Sequence, residues 1–272
     1  MKKNIYLILA DEQLFHPHYV RYILRNLDKK NYDVVGITIA KDRMKKGLLF
    51  FLQQQKVLWG IKGFLFFVVM SISAKIQTLL KPHNQLSLST IAKENGIALT
   101  EMFNVNSQEH LAYLKEKKID IIVSSNGQIF KNELLALPKI ACINRHTALL
   151  PKYGGVLPVF WAMMNNEKYF GVSIHVMTKK IDEGDIIYQE KIEFKHGVSL
   201  FKNYLKGFDR SGSTTLKALD YLAKNKVMKK YTKKEATYFT FPTFTQMRDF
   251  RKEKASFSLS DIKPFLAYYT GL

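Results

Sequence analysis

The stretch IYLILADEQLFHPHYVRYILRNLDKKNYDVVGITIA, residues 5–40, decides the fold. Ile5 to Ala10 is an apolar run of strand length that leaves into the polar Asp11-Glu12-Gln13. A strand apolar on both faces belongs in a sheet covered on both sides. Tyr19 to Leu27 has helical spacing, and Asp33 to Ala40 is a second strand rich in Val and Ile. Strand, helix, strand in this order predicts a βαβ start and a parallel sheet.

Outward from this unit the rhythm breaks and then resumes. Within residues 41–82, Lys41, Arg43, Lys45, Lys46, Lys56, Lys62, Lys75 and Lys81 stand among Leu, Phe, Val, Trp and Met. Val57 to Ala74 holds one charge, Lys62, so a membrane-spanning helix is one reading. Lys62, Gly60, Gly63 and the minimal length oppose a span. The remaining readings are helices packed on the domain, or a basic aromatic segment lying on an anionic membrane surface. Further along, helices are expected over Ser89–Asn95, from an Asn106 or Ser107 cap to about Lys117, over Asn132–Ala136 and over Pro158–Asn165. Strands are expected over Ile97–Met102, Ile119–Ser124, Ile140–Asn144, Val172–Met177 (alternating inward and outward) and Ile186–Phe194. Leu200–Lys224 reads as a long amphipathic helix broken at Ser211-Gly212-Ser213, followed by a basic, aromatic, irregular tail. The expected organisation is a domain over 1–225 with a helical insertion at about 41–82, and an appendage over 226–272.

Composition sets limits. With 272 residues, 47% of them hydrophobic, the chain can bury a substantial core and is not a disordered sequence. Cys142 is the one cysteine, which excludes an intrachain disulfide framework and fits a reducing, cytoplasmic compartment. Set in an apolar run, it reads as a small core residue rather than a nucleophile. The formal net charge of +19 attracts polyanions, anionic membranes or phosphorylated substrates. No secretory signal is evident after Met1-Lys2-Lys3-Asn4. His16 and His18 lack further nearby ligands for a metal and read as surface or acceptor-site histidines. No metal is expected.

The chemistry is concentrated in IACINRHTALLPKYGGVLPVFWAMMNNEKYFGVSIHVMTKKIDEGDIIYQ, residues 140–189. Residues two apart on a strand point the same way, so Asn144 and His146 can project together from a strand end. Ligands of open parallel sheets sit outside the carboxyl ends of the strands. An amide and an imidazole there suit a carbonyl reaction: the amide donates to an oxygen that becomes negative, and the ring moves protons. A carboxylate beside the ring would orient it and raise its pKa, and Asp182 and Asp185 are the candidates. His175 on its strand is equally readable as a cleft residue or as a core histidine.

Asn144-Arg145-His146, Leu149-Leu150-Pro151-Lys152-Tyr153, Gly171-Val172-Ser173-Ile174-His175 and Asp182-Glu183-Gly184-Asp185 together closely resemble the folate-dependent formyltransferase superfamily. That superfamily includes methionyl-tRNA, glycinamide ribonucleotide and sugar N-formyltransferases. The resemblance implies an α/β, Rossmann-like, mostly parallel sheet with helices on both faces. It implies 10-formyltetrahydrofolate as formyl donor, with Asn144, His146 and Asp182 catalytic. It implies folate contacts from Gln128, Ile129, Phe130, Leu150, Pro151, Lys179, Ile181, Gly184 and Asp185, with Asp185 in a more structural position. One departure stands out: many relatives carry Arg-Gly where this chain has Gly154-Gly155, so no acceptor role is carried to that position.

Three acceptors compete. Ala10-Asp11-Glu12-Gln13 has no glycine and two acids, which argues against a phosphate cradle of the glycinamide ribonucleotide kind. The chain after the motif is short for the basic barrel of the methionyl-tRNA enzymes, although the positive charge keeps tRNA in play. A nucleotide-linked amino sugar used in surface polysaccharide fits best by elimination, and the basic segment would suit a diphosphate-linked or lipid-linked acceptor. Hydrolysis of the donor by water and a non-catalytic membrane-surface module are the alternatives. A homodimer is the expected assembly, if any. Tyr238-Phe239-Thr240-Phe241-Pro242 reads chiefly as packing of the C-terminal part.

Overall fold

The computed structural model describes residues 2–12, 14–41, 47–80 and 87–270. The chain runs β1 (Lys3–Ala10), α1 (His16–Asn26), β2 (Tyr32–Ala40), α2 (Leu48–Leu80), α3 (Leu88–Glu94) and β3 (Leu99–Met102). It continues α4 (Gln108–Glu116), β4 (Ile121–Ser125), α5 (Asn132–Leu135), β5 (Ala141–His146), β6 (Gly154–Gly155), α6 (Pro158–Met164), β7 (Tyr169–Val176) and β8 (Ile186–Glu193). It closes with α7 (Leu200–Ala223), β9 (Tyr238–Phe239), α8 (Phe244–Glu253) and α9 (Ile262–Thr270). Arg43, Lys45, Lys46 and Lys81 of the basic segment lie outside the described residues, as does Gln13.

The main sheet has strand order β3-β2-β1-β4-β5-β7-β8. The first five strands are parallel, while β7 pairs antiparallel with β5 and with β8. Strand order reverses between β1 and β4, which makes a switch-point crevice at their carboxyl ends. Both faces are covered. On β1, Ile5, Leu7 and Leu9 pack with Tyr19, Val20 and Ile23 of α1, Ile91 of α3 and Leu219 of α7. Tyr6 and Ile8 pack with Leu111 and Leu114 of α4 and Leu134 of α5 on the other face. This is why the first strand reads as an unbroken apolar run. The helix of residues 108–116 takes its cap from Ser107, whose hydroxyl accepts the His110 N–H.

Three expectations are corrected. First, α7 is unbroken through Ser211-Gly212-Ser213. The Ser211 hydroxyl returns to the Gly207 carbonyl at 2.7 Å, and Gly212 is small because α1 crosses there. A Cβ on Gly212 would stand 2.5 Å from Tyr22 Cδ1. Second, β7 does not alternate between core and solvent. Ser173 and His175 are as buried as their neighbours, because the loop carrying Leu150 covers Ser173 while Asn144 and Asp182 enclose His175. Third, the tail is ordered. β9 pairs with β6, Phe250 of α8 stacks on Phe160 at 4.6 Å, and Phe265 of α9 enters a cluster with Phe15 and Phe201.

α2 is two helical legs joined at Gly60, whose φ of 71° and ψ of 172° only glycine adopts readily. Trp59, Phe66, Phe67 and Met70 pack on α7 and α9. Residues Leu48–Ser73 are long and apolar enough to cross a membrane, yet one face of the helix is held by the body.

Gly212→Ala distinguishes a packing glycine from a helix break. Alanine gains about 1 kcal/mol of intrinsic helix preference. Overpacking against Tyr22 costs about 1–3 kcal/mol. Chemical denaturation is expected to show net destabilisation; a stabilised variant would mean that the contact with Tyr22 is not tight.

Candidate active site

A cleft of about 490 Å³ opens at the switch point, in the size range of small-molecule sites. Its wall includes Glu12, His16, Gln128, Asn144, Arg145, His146, His175 and Asp182. The carboxyl end of β5 delivers Asn144 and His146, and the adjacent β7 places His175 opposite Asn144. The β7–β8 loop brings in Asp182, held in the left-handed region at φ 57°.

Hydrogen-bond chemistry fixes the rings. His146 Nε2 lies 2.8 Å from the Tyr153 carbonyl, which only accepts, so Nε2 carries the proton. Nδ1 is then the free base, 3.7 Å from Asp182 Oδ2. Burial lowers the His146 pKa, while Asp182 and the Tyr153 carbonyl oppose that shift. His175 donates from Nδ1 to the Val176 carbonyl, so its Nε2 accepts the Asn144 amide N–H at 3.2 Å. The Asn144 amide is thereby oriented, with its second N–H left unpartnered among the described residues.

Asp182 sits between the imidazoles, 3.4 Å from His175 Nε2, and accepts the Gly155 N–H at 2.8 Å. Burial works to raise its carboxyl, but positive charge on His146 or His175, when either ring is protonated, and the Gly155 N–H outweigh it and hold the group well below the usual carboxylate range. Gly155 keeps the glycine of the Arg-Gly pattern for a steric reason, while the departure itself lies at Gly154, where a Cβ would meet only ordinary contacts. At φ 93°, a Cβ on Gly155 would lie 2.1 Å from the Phe239 carbonyl oxygen. Gly154-Gly155 therefore pairs with β9 and points an N–H at Asp182.

The structure brings Asn144, His146 and Asp182 together, and puts Gln128, Ile129, Phe130, Lys179 and Ile181 on the same cleft wall. It does not put Leu150, Pro151, Gly184 or Asp185 there. Leu150 is buried and ties its loop to Ser173 and Gln189. Pro151 accepts the Thr237 N–H. Gly184 is packed so that a Cβ would meet the Val176 carbonyl oxygen at 1.7 Å. Asp185 clasps the Tyr231 N–H and Lys230 instead of facing the cleft. Cys142 is buried, its thiol pushed up to about 12 by burial, and is no nucleophile.

Sequence reading missed a second network. Arg145 Nε donates to Ser125 Oγ at 3.0 Å, and Nη1 donates to Thr147 and Ser211. Its guanidinium lies 4.2 Å from the Phe208 ring centroid, and Nη2 has no hydrogen-bond partner among the described residues. Ser125 in turn donates to His16 Nε2, because His16 Nδ1 donates to the Ala10 carbonyl. His16 is therefore a buried neutral ring rather than a surface histidine. Tyr238, expected chiefly in packing, reaches the cleft and is 54% exposed. The available signal for Arg145 was its charge at the end of a buried strand.

The fold and cleft define an open α/β protein with a ligand site at its strand ends. Residues 62–209 match the formyl transferase family, and the chain belongs to it. It is 29% identical over 189 residues to the methionyl-tRNA formyltransferase of Clostridium tetani, covering 66% of this chain and 58% of that protein. It is 39% identical over 178 residues to that of Kosmotoga olearia, covering 65% and 47%. The chain thus spans about half the length of these relatives. Its fold resembles the Helicobacter canadensis N-formyltransferase solved with folinic acid and dTDP-3-aminofucose, with TM-score 0.57, 18% identity, and 96% and 82% of the two chains covered.

Acid stability tests the His16 network. Burial, helped by Arg145, lowers the His16 pKa to about 3. Unfolded histidine titrates near ~6.5. Between these values the unfolded state binds more protons, so the His16 contribution is complete above the upper value and lost as pH falls toward the lower. Denaturation across this window is expected to give a shallower pH slope for His16→Gln than for wild type. Equal slopes would place the acid-sensitive group elsewhere.

Proposed function

We propose that the chain transfers a formyl group from 10-formyltetrahydrofolate to a primary amine, with a nucleotide-linked amino sugar as acceptor. The convergence of Asn144, His146 and Asp182 in one cleft carries this reading. The donor supplies an activated formyl carbon. The partly exposed Ile129, Ile181 and Val156 with buried Phe130 form an apolar wall suited to a flat heterocycle. The free Asn144 N–H is oriented to donate to the formyl oxygen as negative charge develops there. The attacking amine must lose a proton, and His146 Nδ1 is the available base. Protonation at Nδ1 brings opposite charges together across the gap to Asp182, which stabilises the imidazolium. The proton can then pass to the departing nitrogen.

The acceptor reading rests on Glu12 and Arg145. The Glu12 carboxylate accepts the N–H groups of Leu14, Phe15 and His16 at 2.6, 2.8 and 3.2 Å. It occupies the start of α1, where an acceptor phosphate would otherwise bind. Arg145 instead offers an unused N–H at the cleft wall, suited to a phosphate oxygen. The fold relative that binds dTDP-3-aminofucose supports a sugar nucleotide. The sequence relatives and the charge of +19 favour tRNA as the second reading.

Mass spectrometry of nucleotide-linked amino sugars incubated with donor and protein is expected to show a gain of one formyl group. Formylated tRNA with no formylated sugar would transfer the assignment to tRNA. Donor turnover independent of any amine would make the chain a hydrolase, and no turnover would make it a binding module. Asn144→Ala, His146→Ala and Asp182→Asn are each expected to cut turnover on the order of a hundredfold. Unimpaired rates in all three would remove the mechanism.

Arg145→Met is expected to raise the acceptor KM on the order of tenfold or more while leaving the donor KM near wild type. Competitive inhibition by inorganic pyrophosphate should weaken in parallel. An unchanged acceptor KM would reduce Arg145 to a packing role.

A further inference from the structure

We propose that α2 is an interfacial helix that docks the protein on an anionic lipid bilayer. The inference rests on packing and charge and is independent of the acceptor.

After Gly60, α2 presents Ile61, Leu65, Val69, Ile72 and Ile76 at intervals of three and four residues, the spacing of one helical face. Their exposures are 52, 53, 62, 53 and 48%. The stripe extends about 22 Å along the helix. The opposite face is fixed. Gly63 lies so close to the body that a Cβ would stand 2.9 Å from Phe257 Cβ. Phe66 stacks on Phe257 at 5.1 Å, Phe67 meets the Phe201 ring edge-on at 5.2 Å, and Met70 is buried. The first leg adds Leu48, Leu49 and Phe51, exposed by 56, 83 and 42%. Exposed apolar residues aligned along one helical face in this number mark an interaction surface.

Charge selects the occupant. Residues 48–80 contain Lys56, Lys62 and Lys75 and no Asp or Glu, within a chain of net charge +19. Lys56 and Lys62 are exposed. A second copy would bring like charges together across the contact. An anionic bilayer offers acyl chains to the stripe and opposite charge to the lysines. Spanning would require α2 to abandon its aromatic contacts with α7 and α9, whereas lying in the interface keeps them. Those contacts continue toward the cleft: Phe201 is 6.1 Å from Phe15, and Phe15 stacks at 4.5 Å on Phe208, part of the cleft wall. Docking through α2 thus couples the lipid surface to the catalytic body through one aromatic cluster.

The test is co-flotation of the full chain with vesicles of phosphatidylcholine alone or mixed with phosphatidylglycerol, at low and high salt. Binding is expected to the anionic vesicles at low salt, with at least a tenfold loss in the triple variant Leu65→Ser/Val69→Ser/Ile72→Ser. Lys56→Gln/Lys62→Gln should lose the anionic preference and guards against misfolding of the triple variant; unfolding curves check both. Absence of binding, equal binding to neutral vesicles, or undiminished binding of the triple variant would overturn the proposal. So would a dimer in sedimentation that the triple variant dissociates, which makes the occupant a second copy. Retention in membranes through alkaline carbonate extraction would point to a span.

Discussion

A buried carboxylate between two imidazoles is the constraint on which the rest of the site depends. Asp182 is 9% exposed at its side chain, and an isolated charge so placed would shift its pKa and neutralise. Here the Gly155 N–H, joined by His146 and His175 whenever those rings carry positive charge, keeps it ionised. Each partner makes a demand on the backbone. The β7–β8 loop must turn through a left-handed residue at Asp182 and press Gly184 against the Val176 carbonyl. Gly155 must approach Phe239 more closely than any side chain permits. The C-terminal segment is therefore part of the site's support: β9 fixes β6, and β6 supplies the N–H that Asp182 accepts.

Backbone carbonyls set the protonation pattern around that carboxylate. Each of the three cleft histidines gives one N–H to a carbonyl, and its other nitrogen is left as a base: toward Asp182 in His146, toward the Asn144 amide in His175, and toward Ser125 in His16. A carbonyl cannot reverse its role, so the direction of every bond along these chains follows. Such networks resist rotation of their members because one reversal leaves a buried group unsatisfied. The site can thus present an oriented amide N–H and an unprotonated ring nitrogen before any ligand arrives, which is the condition for electrostatic preorganisation.

Much of this was legible in the sequence because it follows from local periodicity. The apolar run at residues 5–10 and the helix and strand after it specify a two-sided parallel sheet, and the two-residue spacing of Asn144 and His146 puts both at one strand end. Information carried by distant contacts was not legible. Gly212 looks like a helix break until Tyr22 is seen against it. His175 reads equally as core or cleft until register places it opposite Asn144. Leu150, Pro151, Gly184 and Asp185 lie in the recognisable motifs, yet their work is to shape loops around the cleft. Arg145 was hidden by its neighbours, since strand alternation directs it away from Asn144 and His146. Its contacts with Ser125, Thr147 and Ser211 nevertheless hold it on the cleft wall.

Glu12 and Arg145 together show how a common cleft can acquire a different preference. A helix amino terminus attracts anions through its unpaired N–H groups. Filling that position with the chain's own carboxyl group satisfies the N–H groups, so an incoming phosphate finds no free donors there. Arg145, also on the cleft wall, is a cation whose charge acts on that carboxyl group against the effect of its burial. Its Nε and Nη1 are occupied by hydroxyls, which hold the guanidinium without neutralising it. Ser125, Thr147 and Ser211 are poor partners for a buried cation compared with a carboxylate. The arrangement closes the helix terminus to an anion and leaves an Arg145 N–H, unused among the described residues, on the cleft wall at the end of β5.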